Sequence, residues 1–429
     1  MTEHTLAADR TPTPTTLAEI SGPFFKRRLL AQLTRLRHGH LTLVDGSERY
    51  DFGNVGRHDG PHATVRIEDA DVYRQMALGG SVGTAEAYMD GAWNCEDLTA
   101  LVRIMVRNRE VLDGMEGGLA RLATSALRLW HSRRRNTKSG SRRNIAAHYD
   151  LGNDFFQLFL DESLMYSSAI YVDPAESLET AQRRRLERIC TKLDLRPGQR
   201  VVEIGTGWGG FAIHAAREHG VHVTTTTISQ RQYELARERV ARAGLSDRVT
   251  LLLEDYRDLQ GRYDKLVSIE MIEAIGHQYL DTYFGKVSSL LEDHGAALIQ
   301  AITIEDHRYQ RALTDIDFIK RYIFPGSFIP SNAAMLGAVA RSSDLRLTHL
   351  EDIGPSYALT LRAWRERFMA ALPQVRAQGY SEAFIRMWQF YLSYCEGGFL
   401  ERSIGDVHLL LQKPGNRRPQ FLPDLAPAV

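Results

Sequence analysis

The sequence predicts an α/β protein of two domains, with a small mixed α/β unit ahead of a larger, doubly wound parallel sheet. Three observations carry this. At 429 residues the chain exceeds what one ordinary core holds. From Arg200 onward, short apolar runs alternate with amphipathic helical stretches, the mark of strands joined by crossover helices. The first of those runs, Arg200 to Ile204, opens into Gly205-Thr206-Gly207-Trp208-Gly209-Gly210, a glycine-rich turn leading into a helix.

The elements follow in order. Residues 1–21 are polar, rich in Thr and Pro and without an apolar stretch, and they read as a disordered leader, not a signal peptide. Residues 22–116 make the mixed N-terminal domain, with a strand expected over Gly39 to Val44 before the turn Asp45-Gly46. Residues 117–143 form a basic connector, and the main domain spans 144–415 ahead of a tail at 416–429. Its strands are expected at Arg200–Ile204, Val221–Thr227, Val249–Glu254, Lys265–Ile269 and Ala296–Thr303. Ser229 should cap the helix after the second strand, with Gln232 as its reciprocal partner and Gly244 closing it. From 304 to 345 an aromatic helical insertion replaces the alternation, at the strand ends where a substrate lid belongs. The sheet resumes at Leu345–Leu350 and Asp406–Gln412.

Lys and Arg number 53, as do Asp and Glu, so net charge is zero but unevenly spread. Arg121, Arg128, Arg133, Arg134, Arg135, Lys138, Arg142 and Arg143 occur in a stretch without an acid. A second cluster, Lys26-Arg27-Arg28 with Arg35 and Arg37, is interleaved with Phe24, Phe25, Leu29, Leu30 and Leu33. Such patterns suit an anionic membrane surface, would also suit nucleic acid, and are equally the pattern of a solvated face. No apolar run reaches the roughly eighteen residues of a membrane-spanning helix. Cys95, Cys190 and Cys395 lie far apart, which suggests a reducing cytoplasm and no metal site.

The glycine turn contains Gly205-x-Gly207-x-x-Gly210, the dinucleotide spacing. Two details argue for a different ligand. Glu203 sits inside the strand end, suited to a positively charged amino group, and the second strand ends in Thr224-Thr225-Thr226-Thr227-Ile228 without a carboxylate for a ribose. This E-x-G-x-G turn suits S-adenosylmethionine, whose methionine end is a zwitterion and which has no pyrophosphate to cradle.

Further motifs accompany the turn. Asn144-Ile145-Ala146-Ala147-His148-Tyr149-Asp150 and Met165-Tyr166-Ser167-Ser168 precede the sheet; Glu270-Met271-Ile272-Glu273-Ala274, Gln300-Ala301-Ile302, Lys320-Arg321-Tyr322-Ile323-Phe324-Pro325-Gly326 and Tyr357-Ala358-Leu359-Thr360-Leu361 follow it. With these and Tyr88-Met89-Asp90-Gly91-Ala92-Trp93, the chain resembles the cyclopropane-fatty-acyl-phospholipid synthase family from about Gly22 to the end of the sheet.

The resemblance implies a class I methyltransferase sheet and transfer of a sulfonium methyl to an alkene in a phospholipid acyl chain. The resulting carbocation needs aromatic faces in a dry channel, and Tyr166, Tyr322, Phe324, Phe328 and Tyr357 are candidates. Proton loss to a bound bicarbonate would then close a cyclopropane. The resemblance assigns that anion to Glu273, Tyr357, the backbone of Ile302, Ser168 and Gln300, with Ser and Gln standing where well-known members have Cys and His. Ala274 and Glu270 are further departures. S-adenosylmethionine contacts carry over to Tyr149, Tyr166, Ser167, Glu203, Gly205, Gly207, Thr227, Ile228, Gln232, Asp255, Tyr256 and Arg257. His148 and His277 read as structural. The implied setting is cytoplasmic, peripheral on the inner face of the membrane, with unsaturated phospholipid as substrate, no nucleic acid, and a homodimer. Loss of a different proton would leave a methylene branch instead. A small-amine N-methyltransferase and a non-catalytic binder are the remaining readings.

Overall fold

The structure, a computed structural model, describes residues 17–54, 60–111 and 152–419. Residues 1–16 of the expected leader, the basic connector, His148 and Tyr149, and the tail past residue 419 lie outside the described residues, while 17–21, expected to be disordered, begin the first helix.

The N-terminal domain comprises helix α1 (Leu17–Leu33), strands β1 (His40–Asp45), β2 (Glu48–Gly53) and β3 (His62–Ile67), helix α2 (Val72–Met89), strand β4 (Trp93–Cys95) and helix α3 (Leu98–Arg107). Its sheet runs β2-β1-β3-β4, with β1 antiparallel to β2 across the Asp45-Gly46 turn and parallel to β3. Within α2, Gly80 adopts φ 57° and ψ −139°, which a side chain would forbid, and the helix kinks there. The carboxylate of Asp97 caps α3 by accepting the N–H of Ala100 at 2.8 Å.

The main domain holds α4 (Asn153–Gln157), α5 (Leu178–Leu193), β5 (Arg200–Ile204), α6 (Gly210–His219), β6 (His222–Thr226), α7 (Gln230–Arg242), β7 (Val249–Leu252) and β8 (Tyr263–Ile269). It continues with α8 (Leu280–Ser289), β9 (Leu291–Ile304), α9 (Tyr309–Thr314), α10 (Asn332–Ser342), β10 (Arg346–Asp352), α11 (Gly354–Ala370), α12 (Leu372–Ala377), α13 (Glu382–Leu400) and β11 (Ile404–Gln412). The seven strands are ordered β10-β11-β9-β8-β5-β6-β7. The last strand, β11, inserts antiparallel between β9 and β10, while β9, β8, β5, β6 and β7 run parallel. Val201, Val202, Leu266, Val267, Leu298 and Ile299 are fully buried, as strands covered on both faces require.

Three expectations are corrected. The Ser229 hydroxyl does accept the Gln232 N–H at 3.3 Å, but the Gln232 side chain does not return to Ser229. It accepts from the Thr227 hydroxyl at 2.8 Å, because that hydroxyl already receives the Ser229 N–H at 3.1 Å. The insertion expected over 304–345 is shorter, since α10 packs on α8 through buried Met335, Ala338 and Val339 and is a crossover helix of the sheet. A second helical insertion, α11 to α13, which the strand pattern left unassigned, stands between β10 and β11.

The amphipathic helix α13 joins the domains by packing against both α2 and α3. Arg386 lies 3.9 Å from the centre of the Tyr88 ring and donates to the Trp93 carbonyl at 2.8 Å. Thr99 donates to buried Glu396 at 3.1 Å, and Arg103 and Arg107 both pair with Glu401.

Candidate active site

One cavity of about 1610 Å³ opens at the carboxyl ends of β5, β6, β8 and β9. Four parts of the chain wall it: the glycine turn and its neighbours, the insertion after β9, the kinked part of α2 around Gly79 to Thr84 with α3, and the aromatic face of α13.

On one side, Gly205 and Gly207 hold φ values of 101° and 52°. A Cβ on Gly205 would meet the Met271 side chain at 3.1 Å, whereas one on Gly207 would have nothing within 4 Å, so the backbone there faces open space. Tyr166, Ser167, Thr227, Ile228, Gln232, Asp255, Tyr256 and Arg257 line the same wall. Arg257 fixes the buried Asp255 carboxylate through Nε at 2.7 Å and Nη2 at 2.6 Å. The Ser167 hydroxyl is buried at the wall with no partner among the described residues. Fully buried Arg185 donates to Gln182 at 2.8 Å, and Gln182 donates to the Ser167 carbonyl at 2.9 Å, which steadies this loop. An unobstructed glycine turn at a helix start, an unpaired hydroxyl and an anchored carboxylate suit the zwitterionic end and the nucleoside of S-adenosylmethionine.

Glu203 departs from its expected role. Its carboxylate accepts the Thr225 hydroxyl at 2.6 Å inside the sheet and is no part of the cavity wall. Burial pushes its pKa up to about 8, so it is largely neutral at neutral pH and acts on the turn through Thr225, which lies 2.7 Å from Thr206.

Deeper in the cavity lies a carboxylate cluster. Glu270, immediately after β8, has φ 47°, a left-handed conformation unusual for a side-chain-bearing residue. Its Oε1 accepts the Ser168 N–H at 2.8 Å and the Gln300 amide at 2.8 Å, and its Oε2 accepts the Tyr357 hydroxyl at 2.6 Å. Gln300 also donates to Asp406 at 2.9 Å, and its carbonyl oxygen faces His408 Nε2 at 3.2 Å. Glu273 accepts the Ile302 N–H at 2.6 Å. Burial raises the pKa of Glu270, and burial followed by repulsion from Glu270 holds Asp406 well above the usual carboxylate range. Burial and then Glu270 push Glu273 up to about 8.

These bonds correct the bicarbonate assignment. The Ser168 hydroxyl turns away to the Ala169 carbonyl at 2.9 Å, and Ser168 and Gln300 are no part of the cavity wall. Tyr357, Gln300 and Ile302 spend their donors on protein carboxylates. The residues present therefore do not fit a separate bicarbonate on those donors.

Among the aromatic candidates, Tyr166, Phe324, Phe328 and Tyr357 line the cavity. Tyr322 does not: its hydroxyl is bound to Glu86 of the N-terminal domain. Phe390, Tyr391, Tyr394 and Phe399 of α13 complete the wall, with Tyr391 and Tyr166 hydroxyls 2.9 Å apart. Sequence reasoning missed them, although six aromatic residues over Glu382–Leu400 were the available signal. His277 packs on Phe328 outside the wall. Ligand atoms of Cys190, His214 and His219 lie within 4.8 Å of one another away from the cavity, where Glu187 pairs with both imidazoles.

The doubly wound sheet and the glycine-turn wall define a class I S-adenosylmethionine-dependent methyltransferase. The chain belongs to the cyclopropane synthase family, because residues 136–409 match the family model described as mycolic acid cyclopropane synthetase. It is 40% identical over 347 residues to tuberculostearic acid methyltransferase UfaA1 of Mycobacterium tuberculosis, covering 79% of this chain and 80% of the relative. It is 39% identical over 350 residues to cyclopropane-fatty-acyl-phospholipid synthase of Escherichia coli K12, covering 80% and 86%. Mycolic acid cyclopropane synthase CmaA1, solved with SAH and CTAB, superposes with a TM-score of 0.59 at 29% identity over 63% of this chain and 98% of that one.

Proposed function

We propose that the protein methylates the double bond of an unsaturated phospholipid acyl chain, and that the resulting carbocation loses a proton and closes to a cyclopropane. The observation that carries this is the continuity of the cavity: one wall is the glycine turn with Asp255, and the rest is mainly apolar and aromatic, with charged side chains such as Glu270, Glu273, Arg308 and Lys320 among them, in a volume large enough for an acyl chain. The name of the Escherichia coli relative supports the phospholipid.

Bound S-adenosylmethionine supplies an electrophilic methyl group on a sulfonium. Ser167, Gly207, Gln232 and Asp255 would hold it, with the Arg257 clamp orienting Asp255. The faces of Tyr166, Phe324, Tyr357 and Tyr391 line the space in which positive charge develops, where ring quadrupoles stabilise it and packing keeps water out. Docking to an anionic bilayer is supported by Phe24, 61% exposed on α1 beside exposed Arg27 and Arg28. Lys26 of the same cluster turns inward to Asp45 and Glu48.

A methylene-branched product is the second reading, favoured by the match to a tuberculostearic acid methyltransferase and by the altered anion pocket. Incubation with S-adenosylmethionine and dioleoyl phospholipid vesicles, followed by proton NMR of the acyl chains, separates a ring from an exocyclic methylene. Failure to release S-adenosylhomocysteine in a lipid-dependent way would overturn both.

A further inference from the structure

We infer that Glu270 is itself the proton acceptor of the reaction, its carboxylate standing where the resemblance places a bicarbonate. The inference rests on the lipid-methylation reading of the same cavity.

Four observations lead to it. Three of the positions assigned to the anion, Ser168, Gln300 and Tyr357, do bind a flat, trigonal O–C–O group, and that group is Glu270. A carboxylate and a bicarbonate share this shape and charge, so the two compete for the same donors. The carboxylate is also built in at a cost, because Glu270 keeps a left-handed backbone. Its own N–H is bound to the Gln300 carbonyl at 2.9 Å, which fixes the turn and aims the side chain back at the amide of the same residue. Glu270 alone of the Glu270–Gln300–Asp406 cluster lines the cavity; the other two are wholly buried beneath it. Lastly, the donors are unevenly shared: Oε1 receives the Ser168 and Gln300 N–H groups and Oε2 the Tyr357 hydroxyl, while the Asp406 carboxyl also hydrogen-bonds to Glu270, so a proton taken up at Glu270 is held within a carboxyl pair.

The step balances without a co-reactant. The alkene pair takes the sulfonium methyl and the C–S pair stays on sulfur, which leaves a cation beside the new methyl group. One C–H pair of that methyl closes the ring, and its proton passes to the Glu270 carboxylate, which later releases it to solvent. For the methylene product a hydride first shifts from the methylated carbon to its cationic neighbour, after which the methyl C–H pair forms the exocyclic double bond, and the acceptor of the proton is the same. Tyr357 and Gln300 are positioning residues in this scheme, since they act through the Glu270 carboxylate.

Turnover is followed as S-adenosylhomocysteine release on dioleoyl phospholipid vesicles, in buffer stripped of carbon dioxide and in buffer with added bicarbonate. Wild type is expected to turn over equally in both. Glu270→Gly suits the backbone and vacates the donors; it should lose roughly a hundredfold or more in stripped buffer and regain rate with bicarbonate. Glu270→Gln fills the pocket without a base and should be slow in both buffers. Binding of S-adenosylmethionine by both variants reports an intact fold. Line broadening of ¹³C-bicarbonate should appear with Glu270→Gly and not with wild type. Wild-type turnover that requires bicarbonate, bicarbonate bound to wild type, or a Glu270→Gln variant as fast as wild type would each overturn the inference. Absence of lipid-dependent turnover by wild type in both buffers would instead overturn the lipid reading on which it rests.

Discussion

Tyr322, in the insertion after β9, donates its hydroxyl to Glu86 on α2, so the insertion is tied to the N-terminal domain across 236 residues of sequence. A hydrogen bond to a carboxylate contributes about 1.5 kcal/mol or more. Tyr322→Phe should therefore lower kcat/KM on vesicles roughly tenfold while affinity for S-adenosylmethionine stays at the wild-type value. Steady-state kinetics over a lipid titration checks this. An unchanged kcat/KM would mean that the tie does not hold the acyl chamber closed.

Glu203 and Glu273 both carry pKa values raised to about 8 by burial. Between the ordinary carboxylate range and that value, the unfolded chain gives up protons that the folded chain keeps. Stability should therefore fall as pH rises through the window, by up to ~1.4 kcal/mol per pH unit for each group. Glu203→Gln removes one of these ionisations and keeps an acceptor for Thr225. Urea melts across the window should show a shallower slope for the variant. Because Glu203 faces Thr225 and not the cavity, its affinity for S-adenosylmethionine should stay within about threefold of wild type, a change under ~1 kcal/mol.

At Glu273 the same ionisation reports on activity. A second negative charge beside the space where the cation forms should favour turnover, so wild-type rate should climb as pH approaches 8. Glu273→Gln still accepts from Ile302 but cannot ionise. Its pH–rate profile should lose that limb, with about a tenfold deficit near pH 8 and little below pH 7. A limb that persists in the variant would assign it to another group.

Vesicle cosedimentation tests the exposed end of α1. Arg27→Glu with Arg28→Glu should weaken binding to anionic vesicles by ~2 kcal/mol, roughly thirtyfold. Wild-type binding should weaken as salt shortens the screening length. Lys26→Gln should matter less, since that ammonium is already paired with Asp45 and Glu48.

The strands were legible in the sequence because an apolar run bounded by turn residues has only one stable use in a wound sheet. β5 begins and ends where its pattern says, and β6 to β9 lie within a few residues of expectation. Hydrogen-bond choices among neighbours were not legible. Gln232 had two competent partners, Ser229 and Thr227, and only the geometry of the turn selects Thr227. Helix α10 carries the same composition as a lid helix, and it is a crossover because α8 offers it a buried face. Glu270 stood out by residue type alone. That it fills the pocket under Tyr357 depends on a left-handed backbone angle, which no spacing encodes.

The insertion of β11 between β9 and β10 bears on how the enzyme comes into being. Asp406 and His408, which sit beneath Gln300, are carried by the last strand of the sheet, whereas the glycine turn lies near the middle of the chain. A ribosome translating this message exposes the methyl-donor wall long before it exposes the strand that joins β9 to β10. Until Ile404 to Gln412 emerges, the edges of β9 and β10 that β11 pairs with stay open, and open edges are templates for wrong pairing. The site is thus assembled late, and synthesis of nearly the whole chain precedes its first turnover.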